Sequence, residues 1–425
     1  MSSSVAAPTL PANSPEIEAP ARTQTPGSVP RQQQHVLVVG SGLVGLTIAQ
    51  GLKRRGIPCT VFERDAGQHG RLQGWSITIH WGLSALEQVL PRELFDELIS
   101  VAAATDAWAD AAPAHLDRST GNFLVIDGRD LTVEHRLPPS KRRIRADRAK
   151  VRNVLLAGLD IQYDKRLSHF ERVPAGGVRA FFEDGTSEEG TVLVGADGNN
   201  STVRRGLVAG EKARSKPIPV VAYGVVQRYT AEQIAPLRAL DAHLFNCINP
   251  DTVRSTFFLP DHHSHTRFRR LPQVSALSKD VTHVAPQRIA DMKARAEGFA
   301  EPLYSLINNI DDTVECTRVS PADWMPIPWD NLSGRVTLAG DATGPMTMYR
   351  GDGVNHGIVD AASFVSQLKR FVDGKVGLQA AIGEYEDEVR ARREVAIPLS
   401  RRAALDAHGM PSRMCRARSS DELSG

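Results

Sequence analysis

Residues 35–65 read HVLVVGSGLVGLTIAQGLKRRGIPCTVFERD. The apolar run from His35 to Val39 predicts a buried parallel strand. Gly40, Gly42 and Gly45 follow at once, and a helical pattern runs from Leu46 to Arg55. A second apolar run, Cys59 to Phe62, ends at Glu63. This is a strand–turn–helix–strand unit whose glycines have the spacing of a dinucleotide fingerprint. Gly40 permits a tight turn and Gly42 lets backbone approach a pyrophosphate. Gly45, with the small Ala49, lets the helix lie close on the strands. The helix start offers unpaired N–H groups and a positive dipole end to phosphates. Glu63 can accept hydrogen bonds from the two hydroxyls of an adenosine ribose. The stretch alone does not separate NAD from FAD.

Around this unit the chain has 425 residues, enough for one large or two ordinary domains with real cores. A formal net charge of +2 gives no electrostatic argument for binding nucleic acid or a membrane surface. No apolar run approaches the roughly 20 residues that span a bilayer. Cys59, Cys247, Cys316 and Cys415 are scattered without C-x-x-C spacing. They fit free thiols in a reducing, cytoplasmic setting better than disulfides or zinc ligands. Residues 1–33 are rich in Ser, Ala, Pro and Gln, lack apolar periodicity and predict a disordered tail.

After Glu63, Gly67, Gly70 and Gly74 mark a flexible loop, followed by a strand at Trp75 to His80. Helices are expected at Leu83 to Leu90 and Arg92 to Ala102, and a hairpin over 122–137 around Asp127-Gly128. The run KRRIRADRAKVRNVLLAGL, Lys141 to Leu159, reads as one basic helix. Its charges suit either a solvated face or a functional arginine. Short strands then lead into TVLVGADGNNSTVRRGL, residues 191–207, a second strand–turn–helix that aims backbone amides and the Asp197 carboxylate at one spot. Residues 217–330 carry strand patterns at Val220–Tyr229, His243–Ile248, Val253–Leu259 and Thr266–Leu271, with helices around Pro286–Ala300 and Glu301–Asn309. His262, His263 and His265 lie on a turn without the spacing of a metal site. A nucleotide-domain pattern returns at Arg335 to Ala339, followed by Gly340-Asp341, Gly351-Asp352-Gly353 and a helix from Val354 to Phe371. One or two helices fill 375–405, and 406–425 reads as a frayed tail.

Three pieces therefore stand in one order: 35–65, 191–207 and 335–361. Together they resemble the single-component FAD-dependent monooxygenases, the aromatic-hydroxylase family. The segments GWSITIHWGLSAL, residues 74–86, and MTMYRGDGVNHGI, residues 346–358, resemble its fungal secondary-metabolism members most. Gly195-Ala196-Asp197-Gly198 matches the family's Asp-Gly motif, and Gly340-Asp341 through Asn355 matches its Gly-Asp motif. The resemblance implies an α/β fold: a glutathione-reductase-type FAD-binding Rossmann domain with an inserted, mostly antiparallel β-sheet substrate domain. The expected division is 1–33 tail, 34–215 first FAD-binding part, 216–330 substrate domain, 331–405 second FAD-binding part with C-terminal helices, and 406–425 tail. It further implies that Asp341 binds the ribityl hydroxyls, and that Gly353, Val354 and Asn355 present N–H groups to the pyrimidine edge of the ring. Arg148 matches the family's Arg-x-x-Leu pattern near the flavin, Asp197 serves FAD and the nicotinamide nucleotide, and Gly74 packs against FAD. Two positions depart from the pattern: Gly344, where a His is usual, and Met348, where a Pro is usual.

The expected activity is that of a monooxygenase using FAD, NADPH or NADH, and O2 to oxygenate an aromatic or olefinic small molecule. Candidates by position for a substrate-activating group are His80, Tyr223, Tyr349 and Arg350, although each suits a satisfied structural hydrogen bond better. A flavin-dependent halogenase shares the fold, although Asp323-Trp324-Met325-Pro326-Ile327-Pro328-Trp329 lacks its Trp-x-Trp-x-Ile-Pro signature. A plain NAD-dependent dehydrogenase leaves 335–361 unexplained. A non-catalytic flavin-binding protein is the reading that the Gly344 and Met348 departures keep open.

Overall fold

The computed structural model describes residues 34–68, 76–106, 123–137, 144–174, 176–225, 227, 229–240, 245–251, 254–258, 273–277 and 285–408. Gly74, His262, His263, His265, the strand expected at Thr266–Leu271 and both expected tails, apart from 406–408, lie outside the described residues.

The opening stretch folds as its periodicity dictates. Strand Val36–Val39 runs parallel to Cys59–Phe62 on one side and to Val192–Gly195 on the other. Val336–Leu338 and Ile161–Gln162 complete a five-stranded parallel sheet, one at each edge. Alternation along the central strand divides the core. Val36 and Val38 face Ile48, Ala49 and Leu52 of helix Leu43–Arg54, Phe364 of helix Gly353–Val372, and Tyr385 of helix Leu378–Asp406. Leu37 and Val39 face Val178, Ala180 and Phe182 of a three-stranded antiparallel sheet. The sheet is thus covered on both sides, as a parallel sheet requires.

A second, seven-stranded sheet is antiparallel except where Phe245–Asn249 runs parallel to Phe123–Asp127. Its strands come from Val220–Val225, Phe245–Asn249, Arg254–Phe258, Gln273–Leu277 and Cys316–Val319, joined by the hairpin Phe123–Asp127 and Val133–Leu137. The hairpin therefore leaves the first nucleotide-binding segment to extend this sheet. Val221, Tyr223 and Val225 point to helices Ala285–Ala294 and Leu303–Asn308, packing on Ile289, Met292 and Ile307. Val220 points the other way, into a cluster with Tyr349, Ala404 and Ala407.

The basic run Lys141 to Leu159 is not one helix. Ile144–Asp147 is a strand paired antiparallel with Ser76–Ile79, and the helix spans only Arg148–Leu155. Asp147 sets the boundary: its carboxylate accepts from Ala149 N and Lys150 N at 2.7 and 3.3 Å, an N-cap that starts the helix at Arg148.

Two glycines govern how close the layers come. A Cβ on Gly45 would lie 2.0 Å from the Gly40 carbonyl oxygen, and one on Gly40, at φ +107°, would lie 2.5 Å from the Ala196 oxygen. Nothing lies within 4 Å of a Cβ placed on Gly42. On the helix side, Glu386 is buried and accepts from Trp329 Nε1, Asn331 Nδ2 and Thr337 Oγ1 at 3.0, 3.0 and 2.8 Å. Burial pushes its carboxyl up to about 7, against the pull of these donors and of Arg390.

Gly45→Ala should lower stability by about 3 kcal/mol, because the obstacle is backbone. Gly42→Ala should stay within about 1 kcal/mol, and chemical denaturation of the pair reads the contrast. A raised folded-state pKa means that Glu386 contributes stability below its ordinary value of 4.5 and loses it as pH rises through about 7. Glu386→Gln should flatten the pH dependence of the melting temperature in that window. An unchanged profile would show that Glu386 titrates normally.

Candidate active site

The described residues of all three motifs meet at the carboxyl edge of the parallel sheet, where doubly wound folds bind their ligands. Gly40 ends the first strand, and Leu46 N is the first amide of the following helix to bond back, to Gly42 O at 3.0 Å. The N–H groups of Leu43, Val44 and Gly45 are therefore available above open Gly42. Glu63 follows the second strand. Its Oε2 accepts from Ser41 N and Ser41 Oγ at 2.9 and 2.8 Å, and its Oε1 accepts from Asp65 N at 3.1 Å. A carboxylate has about four acceptor positions, so room remains for a ribose hydroxyl. Burial alone would raise its pKa, but the Ser41 and Asp65 donors and the Arg64 charge hold it below the ordinary value.

Asp197 does not present its whole carboxylate to the cleft. Oδ2 accepts from Thr202 N and Val203 N at 2.6 and 3.3 Å, starting helix Thr202–Leu207, while Oδ1 is buried without a hydrogen bond. Burial pushes this carboxyl up. Sequence reasoning missed the residue that ties this motif to the next one. Arg204, 2% exposed, donates to the carbonyls of Asn199, Ala213, Asp341 and Ala342 and to Ser215 Oγ. Its pKa is lowered to about 10, chiefly by burial.

Asp341 ends the last parallel strand with an exposed side chain that accepts no hydrogen bond among the described residues. The protein packed around it pushes its carboxyl up, while Arg393, Arg148 and Arg204 pull it down. The Arg148 charge thus reaches Asp341 from the start of the basic helix. Beyond Asp341, helix Gly353–Val372 begins, and its first backbone donor with a helical acceptor is His356 N, bonded to Asp352 O at 3.0 Å. The amides of Gly353, Val354 and Asn355 are free for an electron-rich ring edge. The Asn355 side chain has other work. Its Oδ1 accepts from His80 N and Gly82 N at 2.9 and 3.2 Å, and its Nδ2 donates to Thr78 O and Gly351 O at 3.1 and 3.3 Å.

The Gly344 departure has a physical reason. A Cβ there would meet Ile397 Cδ1 at 3.0 Å and Arg393 Cδ at 3.2 Å, so the C-terminal helix fills the space a histidine would need. Arg393 Nη1 also donates to Gly344 O at 3.2 Å. The four candidates for substrate activation separate. Tyr349 is buried with its hydroxyl 2.6 Å from His408 Nε2, and Tyr223 is buried on the helix side of the large sheet. His80 and Arg350 both approach Asp352, at 3.6 and 3.0 Å. Next to them Trp81, Asp352, His356, Arg392 and Leu399 line a cavity of about 340 Å³. Burial and the cations Arg393 and Arg392 hold His356 down near 3, so it is neutral.

The tryptophans of 323–329 are structural. Trp324 Nε1 donates to Lys212 O at 2.7 Å beneath Arg204, and Trp329 donates to Glu386.

An adenine dinucleotide carrying a ribityl chain fits these residues: open Gly42 over free helix amides, Glu63 at one end, the unengaged Asp341 carboxylate at the other. Comparison with known proteins agrees. The FAD binding domain family matches residues 145–399, and the NAD(P)-binding Rossmann-like domain family matches 38–85. The FAD-dependent monooxygenase dbaB of Emericella nidulans is 38% identical over 343 residues, covering 77% of this chain and 84% of that protein. The FAD-dependent monooxygenase cctM of Talaromyces islandicus is 33% identical over 380 residues, covering 88% and 93%. Among solved structures, Klebsiella pneumoniae HpxO complexed with FAD and uric acid superposes with TM-score 0.70 at 21% identity, covering 90% and 91%. The 2,6-dihydroxypyridine-3-hydroxylase of Arthrobacter nicotinovorans gives 0.68 at 17% identity, covering 89% and 93%. These two likenesses concern the fold, while the family profile and the fungal relatives carry the assignment: the chain belongs to the FAD-dependent monooxygenases.

Proposed function

We propose that this monooxygenase uses NADPH or NADH and O2 to place one oxygen atom on an aromatic or olefinic small molecule of secondary metabolism. The observation that carries the reading is the Asp341 carboxylate, free of hydrogen bonds among the described residues, just past the end of a parallel strand, beside the open amides of Gly353, Val354 and Asn355. When bound, FAD supplies the redox chemistry and the activation of O2. The chain's residues bind and orient it. Glu63 takes the adenosine ribose, with Gly40, Gly42 and Gly45 forming the turn under the pyrophosphate. Asp341 takes the ribityl hydroxyls, with Arg148 setting the charge around it. The helix start at Gly353 stabilises negative charge on the pyrimidine edge of the ring. Asp197 holds the helix start at Thr202, and Gly74 lies in the loop assigned to FAD by resemblance.

Residues 34–215 and 331–405 then form the cofactor-binding part, and 216–330 with the hairpin of 123–137 forms the substrate-binding part. The substrate would lie between the large sheet and the segment 345–351, with His80 and Arg350 approaching Asp352 at the helix start. Among the described residues no helix is long and apolar enough to cross a membrane. The free Cys59, Cys247 and Cys316 agree with a reducing, cytoplasmic setting.

Purified protein should be yellow, or become so with FAD, and should oxidise NADPH or NADH faster with a phenolic or polyketide-like ligand. Label from ¹⁸O₂ should enter the product, and protein colourless after added FAD would overturn the reading. Asp341→Ala should weaken FAD binding about tenfold to a hundredfold by removing a charged acceptor. Unchanged flavin content would refute its role.

A further inference from the structure

The second residue of the fingerprint, Ser41, is 1% exposed and stands between Glu63 and a cation the motif does not specify. Arg152, from the basic helix, donates Nη2 to Ser41 Oγ at 2.8 Å and Nε to Ser41 O at 3.1 Å. Its Nη1 donates to Gln68 O at 2.9 Å. A guanidinium can only donate. The Ser41 hydroxyl therefore accepts from Arg152 and must direct its own proton to Glu63 Oε2, 2.8 Å away. With Ser41 N also on Oε2, one carboxylate oxygen carries two donors whose directions are fixed from three chain segments. Among the described residues, the other oxygen carries only Asp65 N. A carboxylate held this way cannot rotate freely, and its less occupied oxygen remains the acceptor for a neighbouring hydroxyl.

Resting on the cofactor assignment above, we infer that Ser41 and Arg152 are positioning residues for the adenosine end of FAD. Their relay, Arg152 to Ser41 to Glu63, orients the carboxylate that reads the ribose hydroxyls. The rest of the fingerprint offers the pyrophosphate backbone amides, which do not distinguish a ribose from a deoxyribose. Recognition of the diol therefore depends on the carboxylate and on what aims it. Arg152 is suited to this task because its planar fork reaches hydroxyl and carbonyl of one residue together, which a lysine ammonium cannot do with fixed geometry.

The test is a fluorescence titration of apoprotein with FAD and with FAD lacking the two adenosine ribose hydroxyls. The wild type, Ser41→Ala, Arg152→Met and Arg152→Lys are compared, with the melting temperature of each apoprotein. The wild type should prefer FAD over the dideoxy analogue at least tenfold. In Ser41→Ala and Arg152→Met the preference should fall to threefold or less, mainly through weaker FAD binding. Arg152→Lys should recover part of it, and apoprotein melting should move by less than 2 °C. A wild type that binds FAD without preferring it would overturn the ribose assignment of Glu63. Failure to bind any flavin would overturn the cofactor assignment instead. A preference that persists in both variants, or equal losses for both ligands, would overturn the relay.

Discussion

One buried carboxylate, Asp360, fixes the geometry on which the flavin end of the site depends. It is fully enclosed, and its Oδ2 accepts from Gly340 N at 2.8 Å and from Arg393 Nη2 at 2.7 Å. Its Oδ1 accepts from Arg392 Nη2 at 2.8 Å. Burial would raise its pKa, but the two guanidiniums outweigh that and keep it ionised. An enclosed charge is tolerated only when its partners are in place. The strand end, the helix beneath it and the C-terminal helix are thus bound to a single arrangement. Gly340, at φ +63°, turns the chain there, so that Asp341 faces the cleft while its neighbour's amide is held from below.

Close approach of the two long helices has the same root. A Cβ on Gly357 would lie 2.4 Å from Val44 Cγ2, and one on Gly340 would lie 2.9 Å from the same atom. Helix Gly353–Val372 can therefore bring its N-terminus beside the fingerprint helix, and the two positive dipole ends converge on one elongated ligand. Arg393 also spans to the carbonyls of Gly340 and Gly344. The C-terminal helix thereby braces the strand end from which Asp341 projects.

What the sequence made legible were features whose causes are local. The apolar run His35 to Val39, the glycine spacing and the strand-terminal acids each announce themselves within a few residues. The strand Ile144–Asp147 was hidden in a helical-looking run because its pairing with Ser76–Ile79 is remote in sequence. Strand Leu167–Val173 escaped notice because most of its side chains are exposed and only Leu167 is buried. The arginines were the hardest. Arg152, Arg204 and Arg393 look like any surface arginine until burial and carbonyl partners are known. Gly344 looked like a weakened motif and is instead the place where another element takes the space.

These arginines share a logic that separates the two sides of the site. Each is a donor-only group bonded to carbonyl, hydroxyl or carboxylate oxygens, Arg204 and Arg393 buried and Arg152 half-buried, so each locks backbone from distant segments while adding positive charge near Glu63 or Asp341. Moving Asp360 therefore means breaking a buried ion network, and moving Glu63 means breaking its bonds to Ser41 and Asp65. Among the described residues, the face of the large sheet turned toward Tyr349 carries an apolar cluster of Ile218, Val220, Tyr349, Ala404 and Ala407, with Ile248 and Met348 packed against it and the Tyr349 hydroxyl beside His408 Nε2. Apolar packing tolerates exchange of side chains of similar volume far better than a buried ion network tolerates loss of a partner. Side chains of that apolar cluster can therefore be exchanged for others of similar volume while the Asp360 network stays intact.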